Sequence, residues 1–163
     1  MTTYTSYTQS PLGQLKIQCT DEKVTAVLFW EAEAGRPDEH PLLDSCKQQM
    51  DDYFSGKRQI FSLPLQQEGT AFQQKVWELL CRIPFGATIS YQQLADQYGD
   101  RKAIRAVASA NGRNNLAIIV PCHRVIGSNQ SLTGYAGGLW RKKWLLEHEA
   151  RYHSGVQQLG MGF

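Results

Sequence analysis

The segment that organises this chain is Ile118-Ile119-Val120-Pro121-Cys122-His123-Arg124-Val125-Ile126. It sets a thiol, an imidazole and a guanidinium inside the most apolar run of the sequence, and burying such groups is unfavourable unless each finds a partner. The thiolate is the nucleophilic form of cysteine, and neighbouring histidine and arginine side chains favour it. The segment therefore indicates a nucleophile at Cys122, the alternative being a cysteine that only packs in the core.

The order of Cys122 and His123 limits how they can cooperate. Adjacent side chains of a strand point to opposite faces, so these two side chains do not hydrogen-bond directly in an extended chain. The sequence predicts either an irregular turn at Pro121 or a water molecule that carries the proton between them.

Two short helical patterns precede this segment and are joined by a tight turn. A capping box of Ser90 and Gln93 starts the first helix, which ends at Gly99. Asp100 caps the second helix, predicted over residues 101–111. A helix, a glycine turn and a second helix together predict a helix-turn-helix.

The second of these helices is unusual in what it offers to DNA. Its inner face is predicted to hold Ile104, Val107 and Ala108. Its outer face carries mostly small side chains, namely Ala103, Arg105, Ala106, Ser109 and Ala110. A base-reading helix normally supplies Asn, Gln or Arg to the major groove, whereas small residues permit a close approach to the minor groove. An alanine-rich core helix is the other explanation of this pattern.

A glycine-rich loop over residues 128–138, containing Tyr135, and a final helix over residues 139–149 follow the segment. The inner side of this helix is predicted to carry Trp140, Trp144, Leu145 and Glu149. A carboxylate on an inner face needs a partner. Glu149 is therefore either a satisfied structural residue or the group that orients His123, and residues 151–163 are predicted to form a loosely packed tail.

The sequence before residue 66 predicts a small α/β scaffold domain. Strands are expected over 3–9, 15–20 and 24–30 as an antiparallel meander, followed by a helix whose apolar stripe runs over 42–54. Residues 60–65 are expected to return as an edge strand. A polar linker over 66–69 leads to a second domain, 70–163, in which Thr70 caps a helix with a buried stripe. That stripe is predicted to consist of Phe72, Val76, Leu79 and Leu80.

Composition excludes several classes of protein. The 163 residues suit one or two small domains. No apolar run reaches membrane-spanning length and no secretion signal opens the chain, so we predict a cytoplasmic protein without a membrane partner. Because the cysteines show neither paired nor metal-like spacing, we predict no disulfide, no metal and no other cofactor. The four cysteines are Cys19, Cys46, Cys81 and Cys122.

Charge is divided unevenly along the chain, although the net charge is only +2. Residues 1–69 carry six basic and ten acidic side chains, a net charge of −4, and residues 70–163 carry eleven and five, a net charge of +6. The basic half contains the cysteine segment. This segregation indicates that the carboxyl-terminal half faces a polyanion, the alternative being a charged face that is merely solvated.

Seven blocks of sequence then occur in one order. They are Ile83-Pro84-Phe85-Gly86, Ser90-Tyr91-Gln92-Gln93-Leu94-Ala95, Arg105-Ala106-Val107, Asn114, Pro121-Cys122-His123-Arg124-Val125, Gly134-Tyr135-Ala136-Gly137-Gly138 and Trp144-Leu145-Leu146-Glu147-His148-Glu149. Together they resemble the O6-alkylguanine-DNA alkyltransferases, also called methylated-DNA–protein-cysteine methyltransferases. The resemblance is strong over residues 70–150. It implies an α+β fold in which a small amino-terminal α/β domain, ribonuclease H-like, precedes a mainly helical domain with a winged helix-turn-helix.

The resemblance also implies an activity. The protein would repair O6-alkylguanine in DNA, with O4-alkylthymine an open second substrate, by moving the alkyl group irreversibly to Cys122 once per molecule. His123 would take the thiol proton through a water and Glu149 would orient the imidazole. Tyr91 would donate to the departing base, and Asn114 would support the active-site turn.

The partner that the resemblance implies is double-stranded alkylated DNA. A monomer would hold the duplex through its minor groove, with the damaged nucleotide rotated into the protein and Arg105 in the vacated space. The expected DNA contacts are Ser90, Tyr91, Arg105, Ala106 and Arg124. The expected guanine pocket consists of Val125, Tyr135 and the backbone amide of Ala136.

Three other classes of protein use parts of this pattern. A cysteine hydrolase built on Cys122, His123 and Glu149 would turn over and need no DNA. A DNA-binding relative without the chemistry would lack the cysteine at position 122. A methylation-responsive regulator would need a further metal-binding domain.

Overall fold

The computed structural model describes residues 1–127, 129 and 132–160, with side chains described as far as residue 153. Positions 128, 130 and 131 of the predicted loop, and positions 161–163 of the predicted tail, lie outside the described residues. Contacts divide the chain into two units. Met1–Glu68 and Asn115–Ile119 form the first unit, and Gly69–Asn114 together with the chain from Val120 onward form the second.

The first unit is built on an antiparallel sheet of three strands in sequence order, β1 (Tyr4–Ser10), β2 (Gly13–Cys19) and β3 (Val24–Phe29). The helix α1 (Pro41–Phe54) follows, its first turn capped by the His40 side chain, which accepts from the Leu42 N–H at 3.1 Å. The predicted meander and helix are confirmed. The buried face of α1 consists of Leu43, Cys46, Gln49, Met50 and Tyr53.

The strand predicted over residues 60–65 is wrong. This stretch makes one isolated parallel bridge, between Leu65 and Val24. Val24 donates to the Pro64 carbonyl at 2.8 Å, and Gln66 donates to the Val24 carbonyl at 3.0 Å. Ile60 is 79% exposed, so the apolar residues of this stretch do not form a continuous buried row, and Pro64 has no N–H to extend the pairing.

The segment Asn115–Ile119 completes the first unit from far along the chain. The Val27 N–H donates to the Asn115 carbonyl at 2.8 Å, and Ala117 donates to the Val27 carbonyl at 3.1 Å, beside a parallel bridge between Val27 and Leu116. Ile118 then has φ 72°, and Ile119 donates to the Ala117 carbonyl at 2.8 Å. This is a classic γ-turn, with a positive φ at its central residue, a strained conformation that is rare for a β-branched residue.

The second unit contains the predicted helix-turn-helix. Its helices are α2 (Ala71–Leu80), α3 (Tyr91–Tyr98) and α4 (Ile104–Gly112), with a 3-10 turn, Arg101–Ala103, before α4. Capping boxes start α2 at Thr70 and α3 at Ser90, and Gly99 ends α3 with φ 106°. Strand β4 (Ile89–Ser90) pairs with β5 (Val125–Ile126) in parallel, which brings the start of α3 next to the end of the cysteine segment.

The predicted inner face of α4 is turned relative to the observed one. Val107 is fully buried, as predicted, but Ala110, assigned to the outer face, is 2% exposed and Ile104, assigned to the inner face, is 38% exposed. The reason is α2, whose Trp77 indole N–H donates to the Ala110 carbonyl at 2.9 Å. Packing of this large side chain selects the face of α4 that the alanine-rich sequence leaves undecided.

The helix α5 (Leu139–Gly160) is longer than predicted, because it continues through residues 151–160, which the sequence assigned to a tail. Leu145 and Glu149 lie on its buried side, as expected, whereas Trp140 is 56% exposed. Arg141 lies over the Trp140 ring at 4.7 Å. Within the described chain, no helix combines the length and the apolar character that crossing a bilayer demands.

Candidate active site

A second tight turn shapes the backbone at Pro121, with φ −82° and ψ 63°. Cys122 donates its N–H to the Val120 carbonyl at 2.8 Å, which makes an inverse γ-turn. A 3-10 turn, Cys122–Arg124, follows directly. The irregular turn at Pro121, one of the two alternatives that the sequence left open, is therefore present, and it takes Cys122 and His123 out of strand geometry.

Glu149 of α5 binds the two residues that follow the cysteine. His123 Nε2 lies 2.7 Å from Glu149 Oε2. Arg124 donates through Nε to Oε1 at 2.8 Å and through Nη2 to Oε2 at 3.0 Å. The remaining guanidinium nitrogen, Nη1, donates to the Ile83 carbonyl at 2.7 Å. Because all three side chains are buried, this is a paired and hydrogen-bonded ionic cluster of the kind that an interior tolerates.

The protonation states in this cluster follow from burial and pairing. Burial raises the pKa of the Glu149 carboxyl, but His123 and Arg124 outweigh burial and hold that pKa well below its ordinary value. Burial lowers the pKa of His123. A neutral imidazole therefore donates its Nε2 proton to an ionised carboxylate, which leaves Nδ1 as an acceptor. Among the described residues, Nδ1 has no hydrogen-bond partner.

The thiol of Cys122 is 7% exposed and is protonated at rest. Burial raises its pKa, whereas the hydrogen bond from Asn114 and the charge of Lys142 lower it. Asn114 Nδ2 lies 3.3 Å from the sulfur and also donates to the Val120 carbonyl at 2.9 Å. The thiol therefore needs a base before it can attack, and His123 is the neutral base beside it in the chain.

Lys142, in the first turn of α5, is a site residue that sequence reasoning missed. It is completely buried, and its Nζ donates to the Thr133 carbonyl at 2.7 Å. Burial lowers its pKa to about 8, and the Cys122 thiolate opposes that effect. Within the described part of the chain, no carboxylate forms an ion pair with it. The ammonium is thus a cation held near the thiol.

A signal for Lys142 was present in the sequence. Lys142, Leu145 and Glu149 recur at spacings of three and four, which place them on one face of a helix. The flanking cations, Arg141 and Lys143, obscure this signal, because a run of basic residues is typical of a solvated helix face.

A pocket of about 630 Å³ opens between α3, α4 and the loop that precedes α5. Residues from all three parts line it, including Tyr91, Arg105, Asn111, Tyr135 and Ala136. Four of these were predicted from the sequence as site residues, and the structure brings them together. Asn111 was not. Asn111 stands three residues before Asn114, at the end of the helix predicted over residues 101–111, and the sequence indicated no role for it in the site.

Tyr91 is half-buried at the edge of this pocket. Its hydroxyl donates to the Thr133 and Gly134 carbonyls at 3.3 and 3.4 Å, which are long and weak hydrogen bonds. Burial raises its pKa, so the hydroxyl stays protonated at neutral pH and remains a donor.

The remaining residues that the sequence predicted for DNA contact or for the guanine pocket lie outside this pocket. Ser90 caps α3 and lines a separate polar groove, and Ala106 is exposed on α4. Val125 is completely buried in β5, where it pairs with Ile89. The predicted DNA contact of Arg124 is wrong, since this side chain is 6% exposed and its guanidinium is engaged by Glu149 and a carbonyl inside the protein.

Comparison with known families agrees with the fold and the site. Residues 71–151 match the family described as 6-O-methylguanine DNA methyltransferase, DNA binding domain, and residues 3–67 match its ribonuclease-like domain. The chain belongs to this family, the methylated-DNA–protein-cysteine methyltransferases, which confirms the resemblance and the α+β fold expected from the sequence.

Individual relatives match over most of their length. The constitutive methylated-DNA–protein-cysteine methyltransferase of Bacillus subtilis is 48% identical over 82% of this chain and 87% of its own. The methylated-DNA–protein-cysteine methyltransferase of Haemophilus influenzae is 40% identical over 90% of this chain and 86% of its own length. The crystal structure of the O6-methylguanine methyltransferase of Mycobacterium tuberculosis superposes with a TM-score of 0.85 at 40% identity, covering 93% and 94% of the two chains. The crystal structure of M. tuberculosis OGT in complex with DNA superposes with a TM-score of 0.82 at 42% identity, covering 90% of this chain and 92% of the other.

Proposed function

We propose that this protein repairs O6-alkylguanine in DNA by transferring the alkyl group irreversibly to Cys122, once per molecule. The observation that carries the proposal is the buried Cys122 thiol beside a neutral His123, whose Nε2 is held by Glu149 and whose Nδ1 is left as an acceptor. Similarity to named methyltransferases supports the substrate class.

The chemistry is a direct displacement. His123 Nδ1 takes the proton of the Cys122 thiol through a water molecule, and Glu149 stabilises the imidazolium that forms. Sulfur attacks the alkyl carbon as the bond from that carbon to O6 breaks. The electron pair of the broken bond stays on the base, which takes up a proton and becomes guanine. The product on Cys122 is a thioether, which no second thiol resolves.

The pocket receives the base. The O6 atom is inaccessible in a stacked duplex, so the nucleotide rotates out of the helix. Tyr91, a protonated hydroxyl that makes long hydrogen bonds to the Thr133 and Gly134 carbonyls, is able to turn to the base and donate to it as charge develops there. Tyr135 and the backbone of Ala136 form the facing wall.

The second unit makes the DNA contacts, and the first unit is the scaffold. Arg105 is exposed on α4 and lines the pocket, from which it reaches into the space that the rotated nucleotide leaves. Small residues around it, such as Ala106, allow a close approach to the minor groove. The protein acts as a monomer. It works in the cytoplasm, where thiols stay reduced, consistent with four free cysteines.

The decisive experiment follows a labelled methyl group from O6-methylguanine in duplex DNA. Label is expected on Cys122, reaching about one methyl per protein and stopping there, because a thioether is a poor electrophile. Cys122→Ala and Cys122→Ser should accept no label. Sustained turnover, or label on another residue, would point to a hydrolase or to a different acceptor.

Base rotation is tested separately, through Arg105→Ala. Loss of the Arg105 side chain should slow repair of duplex DNA by about tenfold or more. Unstacking costs a few kcal/mol, and each 1.4 kcal/mol corresponds to about a tenfold change in an equilibrium constant. The reaction with free O6-benzylguanine should change little, because a free base needs no extrusion. An equal loss on duplex and free base would assign Arg105 to the pocket or to the fold instead.

A further inference from the structure

Ile104, the first residue of α4, is an apolar side chain exposed at the edge of the pocket. It is 38% exposed and lines the pocket together with Arg105. A single exposed isoleucine is ordinary on a protein surface, so its exposure alone indicates no function. Among the described residues, however, Ile104 is the one exposed large apolar side chain that lines this pocket. Its position at the pocket is therefore the informative feature.

One face of α4 shows which end of the pocket is closed. Ile104, Ala108 and Asn111 follow one another at spacings of four and three, so they share a helix face, and all three line the pocket. Along this row Ile104 is exposed, Ala108 is half-buried and Asn111 is 3% exposed. The Asn111 side chain donates to the Cys122 carbonyl at 3.3 Å. The closed end therefore lies at the turn that carries Cys122, and Ile104 lies at the mouth, about 10 Å away along the helix.

The proposed reaction determines how a base lies between these two ends. The alkyl carbon on O6 has to reach the Cys122 sulfur at the closed end. The sugar is attached at N9, which lies across the purine from O6. A base that is placed to react therefore brings its own sugar to the mouth of the pocket, next to Ile104.

We infer that Ile104 is a specificity-determining residue, which packs against C2′ of the extruded nucleotide and selects deoxyribose over ribose. This inference rests on the proposed function. C2′ of a deoxyribose is a methylene group, and its contact with an isoleucine side chain removes apolar surface from water. A ribonucleotide carries a hydroxyl at this carbon, on the minor-groove side from which α4 approaches.

The surroundings of Ile104 offer little to such a hydroxyl. Ala108 and Gly112, one and two turns further along the same side of α4, also line the pocket and carry no hydrogen-bonding side chain. Arg105 is assigned to the space that the rotated nucleotide leaves. A hydroxyl that loses water without gaining a partner is unfavourable. Ile104 therefore acts against the wrong sugar as well as for the right one, which is how specific sites commonly discriminate.

The test compares two duplexes that differ in one sugar. Both carry a single O6-methylguanine, attached to deoxyribose in one duplex and to ribose in the other, and single-turnover rates of methyl transfer to Cys122 are measured. The unaltered protein should react with the deoxyribose lesion faster by about tenfold or more, the effect of a hydroxyl left without a partner. Ile104→Thr keeps the β-branched shape and supplies a hydroxyl. It should lose most of this preference by reacting faster with the ribose lesion.

Two controls separate the sugar contact from other roles of Ile104. Free O6-benzylguanine has no sugar, so Ile104→Thr should react with it about as fast as the unaltered protein does. Ile60→Thr makes the same substitution at an isoleucine of the first unit that is 79% exposed, and it should keep the full preference for deoxyribose. Thermal unfolding of each variant reports whether it is folded.

Three outcomes would overturn the inference. They are an unaltered protein that reacts equally with both duplexes, an Ile104→Thr variant that keeps the full preference, and an Ile104→Thr variant that slows the free base as much as it slows the duplexes. Failure of the proposed function looks different, since Cys122 would then accept no alkyl group from either duplex or from the free base.

Discussion

At the scale of single residues, Lys142 combines a cost in stability with a gain in reactivity. A buried ammonium without a carboxylate partner destabilises the fold, while its charge favours the Cys122 thiolate. Lys142→Met replaces it with an apolar chain of similar length. We expect a higher unfolding temperature and an alkyl transfer that is slower by about tenfold, the effect of about one pKa unit on the thiol.

Lys143→Met is the matched control for this experiment. Lys143 is exposed and lies next to Lys142 in the same helical turn, 3.8 Å from the Glu147 carboxylate. An exposed ion pair contributes little, so neither the unfolding temperature nor the rate should move. Lower stability in Lys142→Met would show that its bond to the Thr133 carbonyl matters more to the fold than its burial.

His123 makes the folded protein sensitive to acid. Burial lowers its pKa in the folded state, so below about pH 6.5 the unfolded chain binds a proton that the folded protein does not. The free energy of unfolding should therefore fall with decreasing pH, with a slope approaching about 1.4 kcal/mol per pH unit. Glu149, whose pKa is lowered, adds to this loss below about pH 4.3.

Urea unfolding from about pH 7.5 to about pH 5 measures this slope. His123→Gln has no imidazole to protonate, so its stability should be lower at neutral pH but nearly constant above about pH 5. An unaltered protein whose stability does not change over this range would mean that the imidazole is already charged at rest.

At the scale of elements, the two capping boxes allow a matched comparison. Thr70 caps α2, and Ser90 caps α3 beside the active-site strand. Replacing either residue with Ala should lower stability by about 1 kcal/mol, because each leaves backbone N–H groups without an acceptor. If Ser90 also contacts DNA, only Ser90→Ala should weaken duplex affinity, as measured by fluorescence anisotropy. Equal affinity of the two variants would assign Ser90 to capping alone.

Elements with a local signal were predictable from the sequence, and elements fixed by distant packing were not. Capping residues and glycines encode the ends of α3 within a few positions, so that helix was placed correctly. The face of α4 depends on Trp77, which is more than thirty residues away. In the same way, the partnership of Glu149 with His123 was one of two alternatives in the sequence, and the involvement of Arg124 became visible only when α5 was placed beside the turn.

At the scale of the whole molecule, the division of charge predicts where DNA binds. Lys102, exposed beside α4, belongs to the basic half, and Lys57, also exposed, belongs to the acidic half. Lys102→Gln should reduce the salt dependence of DNA binding by about one released counterion, whereas Lys57→Gln should leave it unchanged. Affinities of both variants over a range of salt concentrations give the two slopes. An effect of Lys57 equal to that of Lys102 would mean that DNA contacts the first unit as well.

A protein that reacts once per molecule must keep its active-site thiol unreacted until it meets a lesion. Peroxides and small electrophiles attack accessible thiolates, but Cys122 is buried and protonated at rest. Cys81 is exposed and is the thiol that such compounds meet first. Under the proposed function, the Cys122 thiol of an unreacted molecule therefore stays intact until an alkylated base enters the pocket. The number of lesions that a cell can repair is then limited by the number of unreacted protein molecules, and not by the rate at which each molecule transfers an alkyl group.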